Sequence, residues 1–269
     1  MTFVLLTSGI DLSVRSVMYL GPLIAGVAMK AFGLGVAEGL IIAVAVGILA
    51  GSINAIFIVW LRVIPFIVTL ATLFLFRSFG TLLTSSQQFD FAENMRAFGL
   101  SYVAGIPTPI LFLAGVAVIA YLILARTTFG RQIYAIGNDR EAARKAGIKV
   151  TSVEARVYIL SSAWAAMAGF ILIAQIGRLD AGFGEGREFD VVAVAVLGGA
   201  SLFGGVGTAV GAVVGATLIQ TVKLGLVFTG VNLYLQPMMQ GLIIFIAVLM
   251  DGAREHRVQL DRKRNIRPT

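Results

Sequence analysis

Five stretches of this 269-residue chain run for 20 or more residues without an Asp, Glu, Lys or Arg: Gly39 to Leu61, Ala97 to Ala125, Val157 to Gly177, Val191 to Val222 and Leu224 to Met250. A bilayer core of about 30 Å takes about 20 apolar residues per helix, so several of these can cross it. Composition agrees. Only 13% of the residues are charged and 58% are hydrophobic, against roughly 25% charged in a soluble domain. Such a chain cannot cover a water-facing surface. It reads as an all-α, polytopic helical integral membrane protein, with length for one membrane domain and no second catalytic domain. Extended disorder is excluded, and zero cysteines exclude a disulfide scaffold.

The net charge of +7 would point a soluble protein towards nucleic acid. Its placement points to topology instead. Six of the 21 basic residues lie in Arg126 to Lys149 and six more follow Asp251 (Arg254, Arg257, Arg262, Lys263, Arg264, Arg267). Cytoplasmic loops carry such an excess, and no nucleic-acid partner is expected. No cleavable signal is visible, because Met1 leads straight into an uncharged segment.

Spans are drawn as Leu12 to Phe32, Val36 to Leu61, Ile64 to Thr84, Thr108 to Ala125, Val153 to Ile176, Asp190 to Phe203, Thr208 to Phe228 and Leu233 to Met250, about eight crossings of the length a bilayer demands. Both ends of this core then fall on the cytoplasmic side. The loops Ser85 to Pro107 and Gly177 to Glu188 fall outside, and both are net negative. The division is a transmembrane domain over residues 1–251, a cytoplasmic loop at 126–152 within it, and a basic cytoplasmic tail at 252–269. The sixth span is short and runs into Gly198, Gly199, Gly204, Gly205 and Gly207. Non-helical backbone at membrane depth needs protein or water around it, so a broken or tilted helix is expected there. Gly207, Gly211 and Gly215 recur every four residues, which on one helix lines one face and lets a neighbouring backbone approach. That face is either a seam around a pathway or a dimer interface, or ordinary helix packing. No Gly-Lys-Ser/Thr follows it, so it is not a phosphate-binding loop.

The most polar long stretch before the tail is RTTFGRQIYAIGNDREAARKAGIKVTSVEAR. Asn138 is placed to cap a helix, with Glu141 three residues on as in a capping box. Asp139 and Glu141 at the start, and Arg144 and Lys145 at the end, suit the helix dipole. Gly147 is the natural C′ residue, with Ile148 after it. Arg140 to Ala146 is therefore expected to be a two-turn helix outside the membrane, with Ala142, Ala143 and Ala146 giving a low-relief face. It is either a knob for a cytoplasmic partner or a capped helix that only tidies a loop.

Three runs carry a resemblance: GIDLSV at Gly9 to Val14, FGRQIYAIGNDREAARKAGIKV at Phe129 to Val150, and EFDVVAVAVLGGASLFGGVGTAVGAVVGA at Glu188 to Ala216. In this order they resemble the permease subunits of bacterial ATP-binding cassette (ABC) importers of the ribose, xylose, arabinose and galactose type. The resemblance implies about ten helices that each satisfy the bilayer length, both termini cytoplasmic, in the inner membrane. It implies a second permease subunit, two cytoplasmic ATP-binding subunits that hold ATP and Mg, and a periplasmic or extracellular sugar-binding protein. No cofactor is expected on this chain, which would do no chemistry itself. Gly137, Glu141, Ala142, Arg144 and Gly147 match the family's coupling loop, which docks on the ATPase.

Two departures stand out. Family members usually carry further residues before the position of Met1, enough for one helix and most of a second, so this chain is expected to lack them. The family also usually has glycine in place of Arg15. That arginine is expected to snorkel at the cytoplasmic interface, and Pro22 to kink its span.

Asp11, at the threshold of a span, is either functional or, with Ser13, a helix cap. Asn54, Thr69, Gln175, Gln220, Asn232 and Gln236 either meet sugar hydroxyls in a pathway or bond between helices. Lys223 lines the pathway, faces an acidic neighbour or snorkels at a span end, and the spans show no charged cluster that names a ligand. Tyr102 and Tyr234 suit an interfacial belt. His256 sits in the tail, and one histidine with no cysteine leaves no zinc site. No metal pair, serine–histidine arrangement or paired intramembrane acids point to an enzyme. Permeases for autoinducer-2 or branched-chain amino acids, and a stand-alone secondary transporter, remain alternatives.

Overall fold

The computed structural model describes residues 1–230 and, beyond them, residues 235, 238, 239, 241, 242, 245, 246, 249 and 252. The span expected at Leu233 to Met250 and the basic tail lie, apart from those positions, outside the described residues. So do Asn232, Tyr234, Gln236 and His256.

The helices are α1 (Thr2–Leu6), α2 (Val14–Phe32), α3 (Val36–Ala55), α4 (Pro65–Leu83), α5 (Glu93–Gly99), α6 (Thr108–Arg126), α7 (Thr128–Asn138), α8 (Arg140–Lys145), α9 (Val150–Ile176), α10 (Arg187–Leu197) and α11 (Ala209–Phe228). A π-helical turn, Ile56–Trp60, extends α3. Among the described residues five helices are long and apolar enough to cross a membrane: α3 with its π turn, α4, α6, α9 and α11. The 19 residues of α2 include Arg15 and Lys30, which keep it from qualifying by composition, yet it packs at the centre against α3, α4 and α9. A lipid-facing helix could not carry those charges so cheaply; a helix surrounded by protein can.

The centre is α9, with α2 and α3 against it. Small residues set the spacing. A Cβ added at Gly47 of α3 would lie 2.6 Å from the Ser162 carbonyl oxygen, and one at Gly51 would lie 2.7 Å from Ile159 Cα. Gly21 of α2 meets Ala166 at 2.8 Å in the same way. Gly47 and Gly51 are thus a four-spaced glycine pair that brings two backbones together. The sequence-based reading placed that device only at Gly207 to Gly215.

Four two-residue strands close the end assigned to the outside. Here β1 (Phe89–Asp90) pairs antiparallel with β4 (Arg178–Leu179), while β2 (Tyr102–Val103) pairs with β3 (Ile106–Pro107). Between β1 and β2 runs α5, whose Met95 is fully buried and whose Gly99 abuts the end of α9. The external loop 85–107 is therefore a small folded cap. Tyr102 in it is 69% exposed.

Three expectations change. The sixth span is not Asp190 to Phe203: α10 has 11 residues, about 16 Å at 1.5 Å per residue, too short for a core of about 30 Å. Its C-terminal end breaks at Gly198, and Gly199, Gly204 and Gly205 take left-handed φ of +87°, +92° and +71°, which suits glycine. Second, Gly207 lies before the Thr208 cap, so only Gly211 and Gly215 ride on α11. A Cβ on either would overlap the backbone of α10, at Gly198 and Val194 respectively. Third, the stretch before α8 is helical: α7 runs to Asn138, so Asn138 closes that helix instead of capping α8.

Candidate functional site

The turn between α1 and α2 enters the protein interior. Asp11 Oδ1 accepts hydrogen bonds from the Ser13 amide at 3.0 Å and the Ser13 hydroxyl at 2.6 Å, and Oδ2 accepts one from Ser161 at 3.2 Å. Asn54 donates to Ser13 Oγ and accepts from Thr72, each at 2.8 Å. Thr69 donates to the Pro65 carbonyl at 2.9 Å. Asp11, Ser13, Asn54 and Thr69 have no exposed surface. Ser161 stands eleven residues along α9 from Val150, about 16 Å in at the helical rise, which is mid-membrane. The network brings together Asp11, Ser13 and Asn54 with Thr72 and Ser161, and so joins the start of α2 to α3, α4 and α9, while Thr69 bonds within its own helix. Asp11 organises the turn through Ser13; the Ser13 side chain makes no capping bond to α2. Gln220 sits on the exposed face of α11, and Gln175 points back to its own helix at Ile171.

At the basic end, α7 packs against α6 and α8. Thr127 accepts from the Gly130 amide at 3.1 Å to start it, and Ile133 and Ile136 are buried in the core around Val157 and Tyr158. Each such isoleucine contributes about 2 kcal/mol of burial. After a one-residue break, Asp139 caps α8, its Oδ1 accepting from the amides of Glu141 and Ala142, both at 2.9 Å. The opposite end closes through Gly147 (φ +85°), with amide bonds from Gly147 to the Arg144 carbonyl at 3.0 Å and from Ile148 to the Ala143 carbonyl at 3.1 Å. Those two bonds are a Schellman closure. Ala143 is buried against the core, while Glu141, Ala142, Arg144 and Ala146 stand exposed. Arg140 reaches Glu154 of α9 at 2.8 Å, and Arg144 reaches Glu141 at 2.8 Å. Beside α8 opens a cleft of about 720 Å³ bordered by Arg62, Arg140, Glu141, Arg144, Glu154 and Tyr158.

One residue of the expected coupling loop faces inward. Gly137 lies where a Cβ would overlap the Leu6 carbonyl and the Gly205 amide. The Gly205 amide donates to the Leu6 carbonyl at 3.0 Å, Ser8 Oγ donates to the Phe203 carbonyl at 2.8 Å, and Tyr134 Oη donates to the Gly207 carbonyl at 2.7 Å. Burial pushes the Tyr134 phenol above its ordinary value, so it remains a donor. Three segments meet here: the C-terminal end of α7, the α1–α2 turn, and the glycine turn that breaks α10 from α11. Sequence reasoning read each separately. Nothing in the spacing of residues 6, 137 and 205 announces the junction.

The sequence-based view of Arg15 as a snorkelling cation is overturned, and of the alternatives for Lys223 the acidic neighbour is the one present. Arg15 pairs with Glu188 at 3.2 Å and Glu185 at 3.5 Å. Lys223 pairs with Asp190 at 2.5 Å. Arg77 of α4 donates to the Ala181 and Phe183 carbonyls and stacks over Tyr19 at 4.1 Å. Arg77 stands twelve residues into α4, about 18 Å from its start. Loop 180–186 therefore leaves the external β4 and descends to mid-depth instead of staying outside. A partly buried set of opposite charges, joined by hydrogen bonds, solves the desolvation problem that each charge alone would face.

Comparison with known proteins places this geometry. The family described as branched-chain amino acid transport system / permease component matches residues 1–248. The ribose import permease protein of Bacillus subtilis (strain 168) is 38% identical over 255 residues, covering 93% of this chain and 79% of the relative. That of Escherichia coli (strain K12) is 34% identical over 260 residues, covering 95% and 81%. The autoinducer 2 import system permease protein of Yersinia pseudotuberculosis is 34% identical over 268 residues, covering 99% and 75%. No solved structure matches the chain. Its apolar helices, broken at two places and bearing a capped helix on the basic side, therefore have a family: the chain belongs to the membrane permeases of the branched-chain amino acid transport system / permease component family.

Proposed function

We propose that the chain forms, with a second permease subunit, the pathway of an ABC importer for a monosaccharide, in the inner membrane of a bacterium. A sugar-binding protein delivers the solute from outside, and two cytoplasmic ATPase subunits that bind ATP and Mg supply the work. This chain moves and does no chemistry. The observation that supports the reading is α8, a helix capped at both ends and presented to solvent. Its Arg140–Glu154 pair and buried Ala143 tie it to the root of the central helix α9. A partner that grips Glu141, Ala142 and Arg144 would pull on α9 directly, and on α10 and the α1–α2 turn through Gly137 and Tyr134.

The test is uptake into proteoliposomes holding the permease and its ATPase, with the binding protein supplied and labelled pentoses and hexoses offered. Ribose uptake that requires ATP hydrolysis is the expected result. Uptake that persists without ATP and follows a proton or sodium gradient would sink the reading. The relative named for autoinducer 2 favours one second reading, a permease for that sugar-like signal. Including it in the panel separates the two.

A further inference from the structure

We propose that Arg15 and Glu188 form a sugar subsite in this chain, holding two neighbouring hydroxyls of the solute as it passes. The proposal rests on the reading of the chain as a sugar permease and names where that sugar is held. Two buried polar atoms carry it. Arg15 Nε and Glu188 Oε2 have no hydrogen-bond partner among the described residues, although Glu188 Oε1 and the terminal nitrogens of Arg15 are engaged. A buried donor or acceptor left unmade is costly, more so on a charged group, and each such group calls for an explanation. Here the orphans are complementary and belong to one ion pair. One is a guanidinium N–H that can only donate, and the other is a carboxylate oxygen that can only accept. A pair of adjacent hydroxyls satisfies both, the first accepting from Arg15 and the second donating to Glu188.

The place suits a transported ligand. Arg15 opens α2 and Glu188 opens α10, so both side chains sit at breaks in the helical framework. Glu185, 3.5 Å from Arg15, has a side chain 75% exposed, so solvent comes within one residue of the pair. Above the pair lies loop 180–186, with Gly184 packed on Arg15 and left-handed φ of +77° and +80° at Gly184 and Gly186. Lifting that loop from Arg77 uncovers the pair from the external side.

Equilibrium dialysis of labelled ribose, 2-deoxyribose and 3-deoxyribose against the assembled permease–ATPase complex in nanodiscs, without binding protein, tests this. The wild type is expected to bind ribose saturably and at least one deoxy sugar about tenfold more weakly, the loss that one charged hydrogen bond implies. Glu188→Gln and Arg15→Lys are expected to weaken ribose binding about tenfold and to erase the preference over deoxy sugars. Arg15→Lys keeps an ion pair with Glu188, so it guards against a simple folding defect. Loss of affinity with the preference intact marks a purely structural pair and overturns the subsite, as do variants that bind like the wild type or a wild type without saturable binding. ATP-driven uptake by the wild-type assembly with its binding protein is scored separately. Its absence with every sugar overturns the function reading instead.

Discussion

Asn54 shows what a single residue does in an apolar interior. It donates to Ser13 and accepts from Thr72, so it links α3 to α2 and α4 with no exposed surface. Replacing it with leucine removes both bonds, although Ser13 keeps its bond to Asp11 and Thr72 its bond to the Val68 carbonyl, a loss of about 1 kcal/mol per bond. Asn54→Leu is therefore expected to lower the thermal unfolding midpoint in detergent, while Gln220→Leu, on an exposed face, leaves it within error. Gly137 tests the opposite limit. An alanine there overlaps backbone on two sides, and overpacking of this kind costs about 1–3 kcal/mol. Gly137→Ala is expected to separate α7 from Leu6 and Gly205, read as faster hydrogen exchange of the Gly205 amide. The polar residues at 11, 13 and 54 were visible in the sequence as candidates. Their meeting was not, because the partners are separated by 41 residues in one bond and 150 in another, and no local pattern encodes a contact at that range.

Among the elements, α8 was the most legible, since caps are local chemistry. Gly147 and Ile148 close it as their order in the sequence suggests, and only the N-cap moved by one residue. The shift follows from α7: Phe129, Ile133 and Ile136 are spaced for one helix face, and that helix takes Asn138 as its last residue. Arg131 and Gln132 between those positions disguised the pattern as a polar loop. Asp139→Ala should cost about 1 kcal/mol of helix stability. Gly147→Ala should cost about 1–2 kcal/mol at its positive φ. If α8 is the grip for the ATPase, both variants reduce uptake while ATP hydrolysis continues; uptake unchanged in both removes that role. Tyr134→Phe deletes one hydrogen bond, worth about 1 kcal/mol, without disturbing the α8 caps. It is expected to slow transport per ATP consumed, and an unaltered ratio would show the Gly207 contact to be passive.

For the whole molecule, apolar length and scarcity of charge were enough to read an all-α, polytopic membrane protein, because both are sums over many residues. Loop 180–186 and α10 were misread because a descending loop and a half-length helix have the same composition as a loop outside and a span within. Orientation is open to a direct check, since the chain has no native cysteine. Arg144→Cys is expected to react with an impermeant thiol reagent only in inverted vesicles, and Gln88→Cys only in intact cells. The reverse pattern would invert the topology. The shortness of α10 has a mechanical meaning. Held at its Gly198 end by the glycine turn and carrying Glu188 at the other, it is a lever about 16 Å long at the helical rise. A tilt of about 10° swings the Glu188 end of so short an arm by about 3 Å, comparable to the 3.2 Å that separates it from Arg15. A full-length span could pivot only by dragging both membrane faces. Half a span can release a latch at mid-depth while its neighbours stand still.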